Sequence, residues 1–188
     1  MELLSIFTAF GLSFSAGLNA YIPLFIIGAL AHYTDLVVLS KPYDILANPW
    51  ALIILGVLII IEFLADKVPA FNHINDAIQT FFRPVAGAIA FAATAGVITN
   101  LHPLIALTCG LLIAGSVHTV KSAVIRPAVT ATTGGIGNTP VSLLEDVTAT
   151  VVSILSIVIP ILIVLILILF VMLIVMWRQR RSSARKPA

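Results

Sequence analysis

Apolar residues run through this chain in long blocks, and polar positions fall between the blocks or recur inside them at helical spacings. A helix needs about 20 mostly apolar residues to cross a bilayer. Five stretches approach that length: 3–31, 49–66, 76–99, 103–125 and 140–177. The pattern predicts an all-α, polytopic transmembrane bundle of about five spans. Start signals support these boundaries. Asn48-Pro49-Trp50 supplies a cap, a first-turn proline and an interfacial aromatic ring. Pro103 and Thr139-Pro140 open the fourth and fifth spans in the same way, and Trp177 closes the fifth.

Two spans are irregular. The first carries Gly17, Asn19 and Pro23 near its middle and reads as a single broken helix. It reads as retained, because Glu2 stands where a signal peptide would carry positive charge. The fifth has 31 residues from Val147 to Trp177. At 1.5 Å per residue that is about 46 Å, against a hydrocarbon core of about 30 Å. With Pro160 inside, it predicts one kinked or strongly tilted helix. Residues 130–140 read as a polar loop, open to a re-entrant path, whose backbone N–H groups suit an anion. No Gly-Lys-Ser/Thr follows, so it is not a P-loop. Asn48-Pro49 pairs with Asn138-Thr139-Pro140, and Arg83-Pro84 with Arg126-Pro127, a weak internal repeat of the kind transporters carry.

Composition sharpens the class. Of 188 residues, 60% are hydrophobic and 10% charged, where a soluble domain carries about 25% charge. There is too little polar surface to cover a compact soluble domain, and disorder and nucleic-acid binding are excluded with it. The single cysteine, Cys109, excludes an intrachain disulfide framework. Net charge is +2, and five of the ten basic residues (Arg178, Arg180, Arg181, Arg185, Lys186) follow the last span. That bias predicts a cytoplasmic C-terminus. Residues 1–177 read as one transmembrane domain and 178–188 as a basic cytoplasmic tail.

Alternating five spans from that end places the N-terminus outside and gathers the internal charges on one side. Glu62, Asp66 and Lys67 close the second span, and His73, Asp76 and Arg83 surround the start of the third. His118, Lys121 and Arg126 close the fourth, while Glu145 and Asp146 open the fifth. Glu62 and Asp66 are four apart, Asp76 and Arg83 seven apart, and His118, Lys121, Ser122 and Arg126 follow a 0, 3, 4, 8 spacing. Each set shares a helical face. Charges inside a bilayer are costly and pair or line a polar cavity. The spacing predicts Arg83 against Glu145 or Asp146, and Asp76 against Lys121 or Arg126. Ser142 and Glu145 also have capping-box spacing, which would make Glu145 a helix cap. Asp66, His73, Asp76, His118 and Glu145 have the chemistry for a divalent ion, but match no standard zinc spacing, so the metal question stays open. No cofactor motif is present.

Several segments together carry a resemblance. Gly17-Leu18-Asn19-Ala20-Tyr21-Ile22-Pro23-Leu24, Glu62-Phe63-Leu64-Ala65-Asp66-Lys67-Val68-Pro69, Arg83-Pro84-Val85-Ala86-Gly87 and Asn138-Thr139-Pro140-Val141-Ser142-Leu143-Leu144-Glu145-Asp146 resemble an uncharacterised family of bacterial integral membrane proteins, a domain of unknown function. The resemblance implies a multi-pass inner-membrane protein and brings no activity with it. The residues themselves favour a transporter or channel-like protein for a small polar or ionic solute. Its binding residues would be Asn19, Glu62, Asp66, Lys67, Asp76, Arg83, His118, Lys121, Arg126, Asn138, Glu145 and Asp146. The alternatives are a structural or assembly subunit and a membrane enzyme or binder acting on lipid headgroups. The expected partners are membrane lipids, the solute and a second copy of the chain in a homo-oligomer, with no nucleic acid.

Overall fold

The computed structural model describes residues 2–65, 69–95 and 101–160 with positions 169, 172 and 176, and side chains within 4–65, 77–95 and 101–160 and at those three positions. The described residues are all-helical. Helix α1 (Glu2–Leu18) is followed at once by α2 (Tyr21–Tyr33), then by a 3₁₀ turn (Tyr43–Ala47) and α3 (Pro49–Ala65). Next come α4 (Pro69–Ala95), α5 (Pro103–Val120), a π-helical turn (Lys121–Ile125), α6 (Arg126–Thr133) and α7 (Asn138–Val158). The run from α5 through α6 is one continuous helix of 31 residues.

Local chemistry sets the helix starts. The Trp50 N–H donates to Asn48 Oδ1 at 2.9 Å, with Pro49 as the first helical residue. The Leu104 N–H donates to His102 Nδ1 ahead of α5, again with proline at the first turn. Asn19 does the same for α2, accepting on Oδ1 from the N–H groups of Tyr21 (3.0 Å) and Ile22 (3.1 Å). Pro23 therefore lies in the first turn of a new helix, where its missing N–H has no helical partner to lose.

This corrects the reading of 3–31 as one broken span. Ser5 and Thr8 of α1 line one open cleft of about 190 Å³ with Leu36, Val37 and Val38, which lie just beyond α2. Thus α2 folds back beside α1, and the two form a helical hairpin whose tip is Leu18-Asn19-Ala20. The 130–140 reading changes too. Thr130 to Thr133 are helical, and the Thr132 and Thr133 hydroxyls donate back to Ala128 and Val129 carbonyls. The connection shrinks to Gly134–Gly137, with positive φ at Gly134 and Gly135 (63° and 91°). In the fifth span, α7 ends at Val158, where Ile159 leaves the helical region (φ −137°, ψ 69°). Of the remainder of that expected kinked helix, Pro160, Leu169, Met172 and Met176 are helical; the rest, and the basic tail, lie outside the described residues.

Helix α1 is the centre of the bundle, packed on α4, α5 and α7, while α2 packs on α3. Small residues permit close approach. A Cβ on Gly87 would collide with Ala114 Cβ, and one on Gly110 with the Gly87 carbonyl. Hydroxyls join α1 to its neighbours: Ser13 Oγ donates to the Gly87 carbonyl (2.9 Å), Ser15 Oγ to the Ala149 carbonyl (2.7 Å), and Thr8 Oγ1 to the Ser156 carbonyl (2.8 Å).

Inside and outside are inverted relative to a water-soluble protein. Ile53, Ile54, Val57, Ile60, Ile61 and Leu64 of α3 are exposed, as are Leu143, Leu144, Val147, Val151 and Ile154 of α7. Arg83 and Lys121 are among the most buried large side chains, at 0% and 2% exposure. Among the described residues, two helices are long and apolar enough to cross a membrane, Pro103–Thr133 and Asn138–Val158.

Candidate functional site

The buried charges meet at the hairpin tip. Arg83 lies near the middle of α4 and donates from Nη2 to Glu62 Oε1 of α3 at 2.8 Å. Its Nη1 lies 3.2 Å from Nδ1 of His118 on α5. A guanidinium can only donate, so Nδ1 must accept and the proton of the neutral ring sits on Nε2. Nε2 then donates to Thr80 Oγ1 at 3.0 Å. Thr80 and Arg83 are three apart on α4, so one helix supplies both ends of this chain of bonds. Tyr21, the first residue of α2, is hydrogen-bonded to Gln79 and lies near Glu62 and Arg83. Gln79 was not singled out in the sequence. It is 2% exposed, and its Oε1 has no hydrogen-bond partner.

A second set surrounds Lys121. Its ammonium donates to the Leu18 carbonyl, the last of α1, at 3.1 Å. The same Nζ lies 2.6 Å from Glu145 Oε2, and Arg126 Nη2 lies 3.8 Å from that oxygen. Beside them Asn19 Nδ2 donates to Asp146 Oδ1 at 3.0 Å. Asn19 therefore caps α2 with its oxygen and ties the tip to α7 with its nitrogen. Lys121 and Arg126 are five residues apart and in a plain α-helix would diverge by about 140°. The π turn between them, closed by the Arg126 N–H on the Lys121 carbonyl, takes up one extra residue and turns both inward. Pro127 follows directly and has no N–H to offer the preceding turn.

The structure thus brings Asn19, Glu62, Arg83, His118, Lys121, Arg126, Glu145 and Asp146 together around one hairpin tip. Asn138 does not join them: its Nδ2 donates to Thr130 Oγ1 at 2.9 Å and closes the turn between α6 and α7. Asp66 and Lys67 lie outside the described residues, as does the side chain of Asp76. The expected Arg83–Glu145 pairing is replaced. Glu62 takes Arg83, because α2 holds α3 beside α4, and Glu145 takes Lys121. Nor is Glu145 a helix cap. It lies two turns inside α7 with Ser142, both buried. Among the described residues no three His, Cys, Asp or Glu side chains converge as metal ligands. His118 is engaged by Arg83 and Thr80, and Glu145 by Lys121. Sequence reasoning also missed the serines. Ser13, Ser15, Ser153 and Ser156 are fully buried, and Ser15 and Ser153 hydroxyls meet at 2.7 Å. Their signal was small polar residues on two sides of α1, Ser13 toward α4 and Ser15 toward α7, and on one face of α7, where Ser153 and Ser156 are three apart.

A family model described as Domain of unknown function (DUF4126) matches residues 6–180, and the chain belongs to that family. No curated protein and no solved structure matches it.

Proposed function

We propose that this DUF4126 member is an integral membrane protein that binds and passes a small polar or ionic solute at the tip of its α1–α2 hairpin. The observation that carries the reading is the seating of that tip on buried charges from α3, α4, the π turn and α7. Apolar side chains outside and ion pairs inside suit a chain whose solvent is lipid. Ordinary cores do without full charges, since desolvating them is expensive. Broken helices that end at mid-bundle, with free backbone groups beside charged side chains, are the way transporters build solute and ion sites. Glu62, Glu145 and Asp146 suit cationic groups; Arg83, Lys121 and Arg126 suit anionic ones. The basic tail orients the C-terminus to the cytoplasm, in the bacterial inner membrane that the sequence resemblance implies.

Flux into proteoliposomes, measured over a broad panel of ions and small metabolites, tests the proposal. Glu145→Gln and Arg83→Lys should fold and lose flux, while Ile136→Ala, on the exposed turn, should keep it. An absence of flux across the panel, or full flux in both folded charge variants, overturns the reading. One observation favours a second reading, in which the charges only lock the helices in register. Glu62–Arg83 and Lys121–Glu145 are matched in number and sign. Under that reading the same variants lose yield and assembly, and none remains folded but inactive.

A further inference from the structure

We infer that the end of α1 holds a site for a small monovalent cation, which the Lys121 ammonium fills as a tethered occupant. The inference rests on the reading of the hairpin tip as a solute site and names the ligand class it takes. Three observations converge on it. First, Nζ sits between two oxygens, the Leu18 carbonyl at 3.1 Å and Glu145 Oε2 at 2.6 Å. Second, Leu18 is the last residue of α1, so its carbonyl is among those no following helical N–H satisfies. The last carbonyls of a helix carry the negative end of its dipole and favour positive charge. Third, Glu145 Oε1 is buried and has no hydrogen-bond partner. The carboxylate therefore has acceptor capacity that the lysine does not use.

Lys121 reaches this point from a separate helix, with only 2% of its surface exposed. An ammonium group and a free ammonium ion have the same charge and nearly the same donors. Exchanging one for the other leaves the charge of the cluster unchanged, so the nearby Arg83 and Arg126 oppose the newcomer no more than they oppose the lysine. Truncation at Cβ would open a channel-shaped space the size of a propyl-ammonium group, lined at its end by the same oxygens. Ammonium, methylammonium or sodium would then take the vacated position. An organic cation such as choline, which offers no N–H and is too large for the site, would not.

The experiment is thermal unfolding of the full chain in detergent, in ammonium, methylammonium, sodium or choline chloride at matched ionic strength. The wild-type protein should show the same Tm in all four. Lys121→Ala should unfold at a lower Tm in choline and recover in ammonium or sodium. The recovery should grow with the logarithm of cation concentration, as a ligand bound only by the folded state requires. Adding Glu145→Gln to Lys121→Ala removes the orphaned acid. It should raise Tm in choline above that of the single variant and abolish the cation response. The proposal is overturned if folded Lys121→Ala responds equally to choline and the small cations, or if the double variant keeps the response. Where Lys121→Ala yields no folded protein in choline, purification in ammonium should restore it. If neither ammonium nor the second substitution restores folding, the site does not exist. Flux plays no part in these measurements, so their failure is separable from failure of the transport reading.

Discussion

Arg83 is the side chain whose loss the structure makes most costly. Its guanidinium is fully buried, lies 2.8 Å from Glu62, and supplies the proton that His118 Nδ1 accepts. At an effective dielectric constant of about 20, unit charges at that separation attract by about 6 kcal/mol. Most of this offsets desolvation, and the net worth of the pair is smaller. Removing one partner is another matter, because Glu62 is 3% exposed and would lose the guanidinium it faces at 2.8 Å in surroundings that water does not reach. That costs about 3–5 kcal/mol, of which the lost Arg83–His118 hydrogen bond accounts for about 1–3. Arg83→Met should therefore lower Tm by about 6–20 °C for a chain of this size. Adding Glu62→Gln should return the carboxylate share and leave the histidine share. The assay is equilibrium unfolding in detergent of both single variants and the double. A coupling of about 1.5 kcal/mol or more supports the pair. Coupling below about 0.5 kcal/mol, the scatter of independent sites, refutes the argument. Arg83→Met with Glu145→Gln provides the contrast and should be additive, since Glu145 pairs with Lys121.

Further outcomes follow from other contacts. Gly110→Ala should cost about 1–3 kcal/mol by overpacking α4 against α5, while Gly115→Ala, whose Cβ meets only Pro84 at 3.7 Å, should be tolerated; circular-dichroism melts distinguish them. Asn19→Ala loses both the α2 cap and the bond to Asp146, and should cost about 1–2 kcal/mol, whereas Asn19→Ser keeps a capping oxygen and should recover part of it. In a Cys109→Ser background, Leu36→Cys and Ile136→Cys should label from opposite faces of the membrane, because Leu36 lies beside Ser5 and Ile136 lies in the turn before α7; labelling from one face refutes the hairpin arrangement.

Much of the site was legible because charge in an apolar chain is conspicuous and helical spacing assigns it a face. His118, Lys121 and Arg126 turn inward as their spacing predicts. Their partners were not legible, since pairing across helices depends on which helices touch. The hairpin fixes that, and its signal was present but weighed wrongly. Asn19 followed by Pro23 has the same cap-then-proline logic as Asn48-Pro49, yet the unbroken apolar character on both sides favoured a single span. The π turn had no sequence signal beyond Pro127, since the inward face of Arg126 can be read as ordinary periodicity from His118. The buried serines were overlooked because a hydroxyl can be satisfied by a neighbouring backbone, so serine is unremarkable wherever it falls in an apolar helix.

The hairpin tip also places a condition on the order of events during biogenesis. Asn19 and Asp146 are 127 positions apart, and Leu18 and Lys121 are 103 apart. At about 5–20 residues per second, the ribosome needs roughly 6–25 s to deliver the α7 partner after the tip has emerged. For most of that interval the Leu18 carbonyl lacks the Lys121 ammonium, and for all of it the Asn19 Nδ2 lacks Asp146. A chaperone or insertase that shelters a half-finished polar tip, or a delay in committing α1 and α2 to the lipid, would serve this protein more than one whose early helices are complete in themselves.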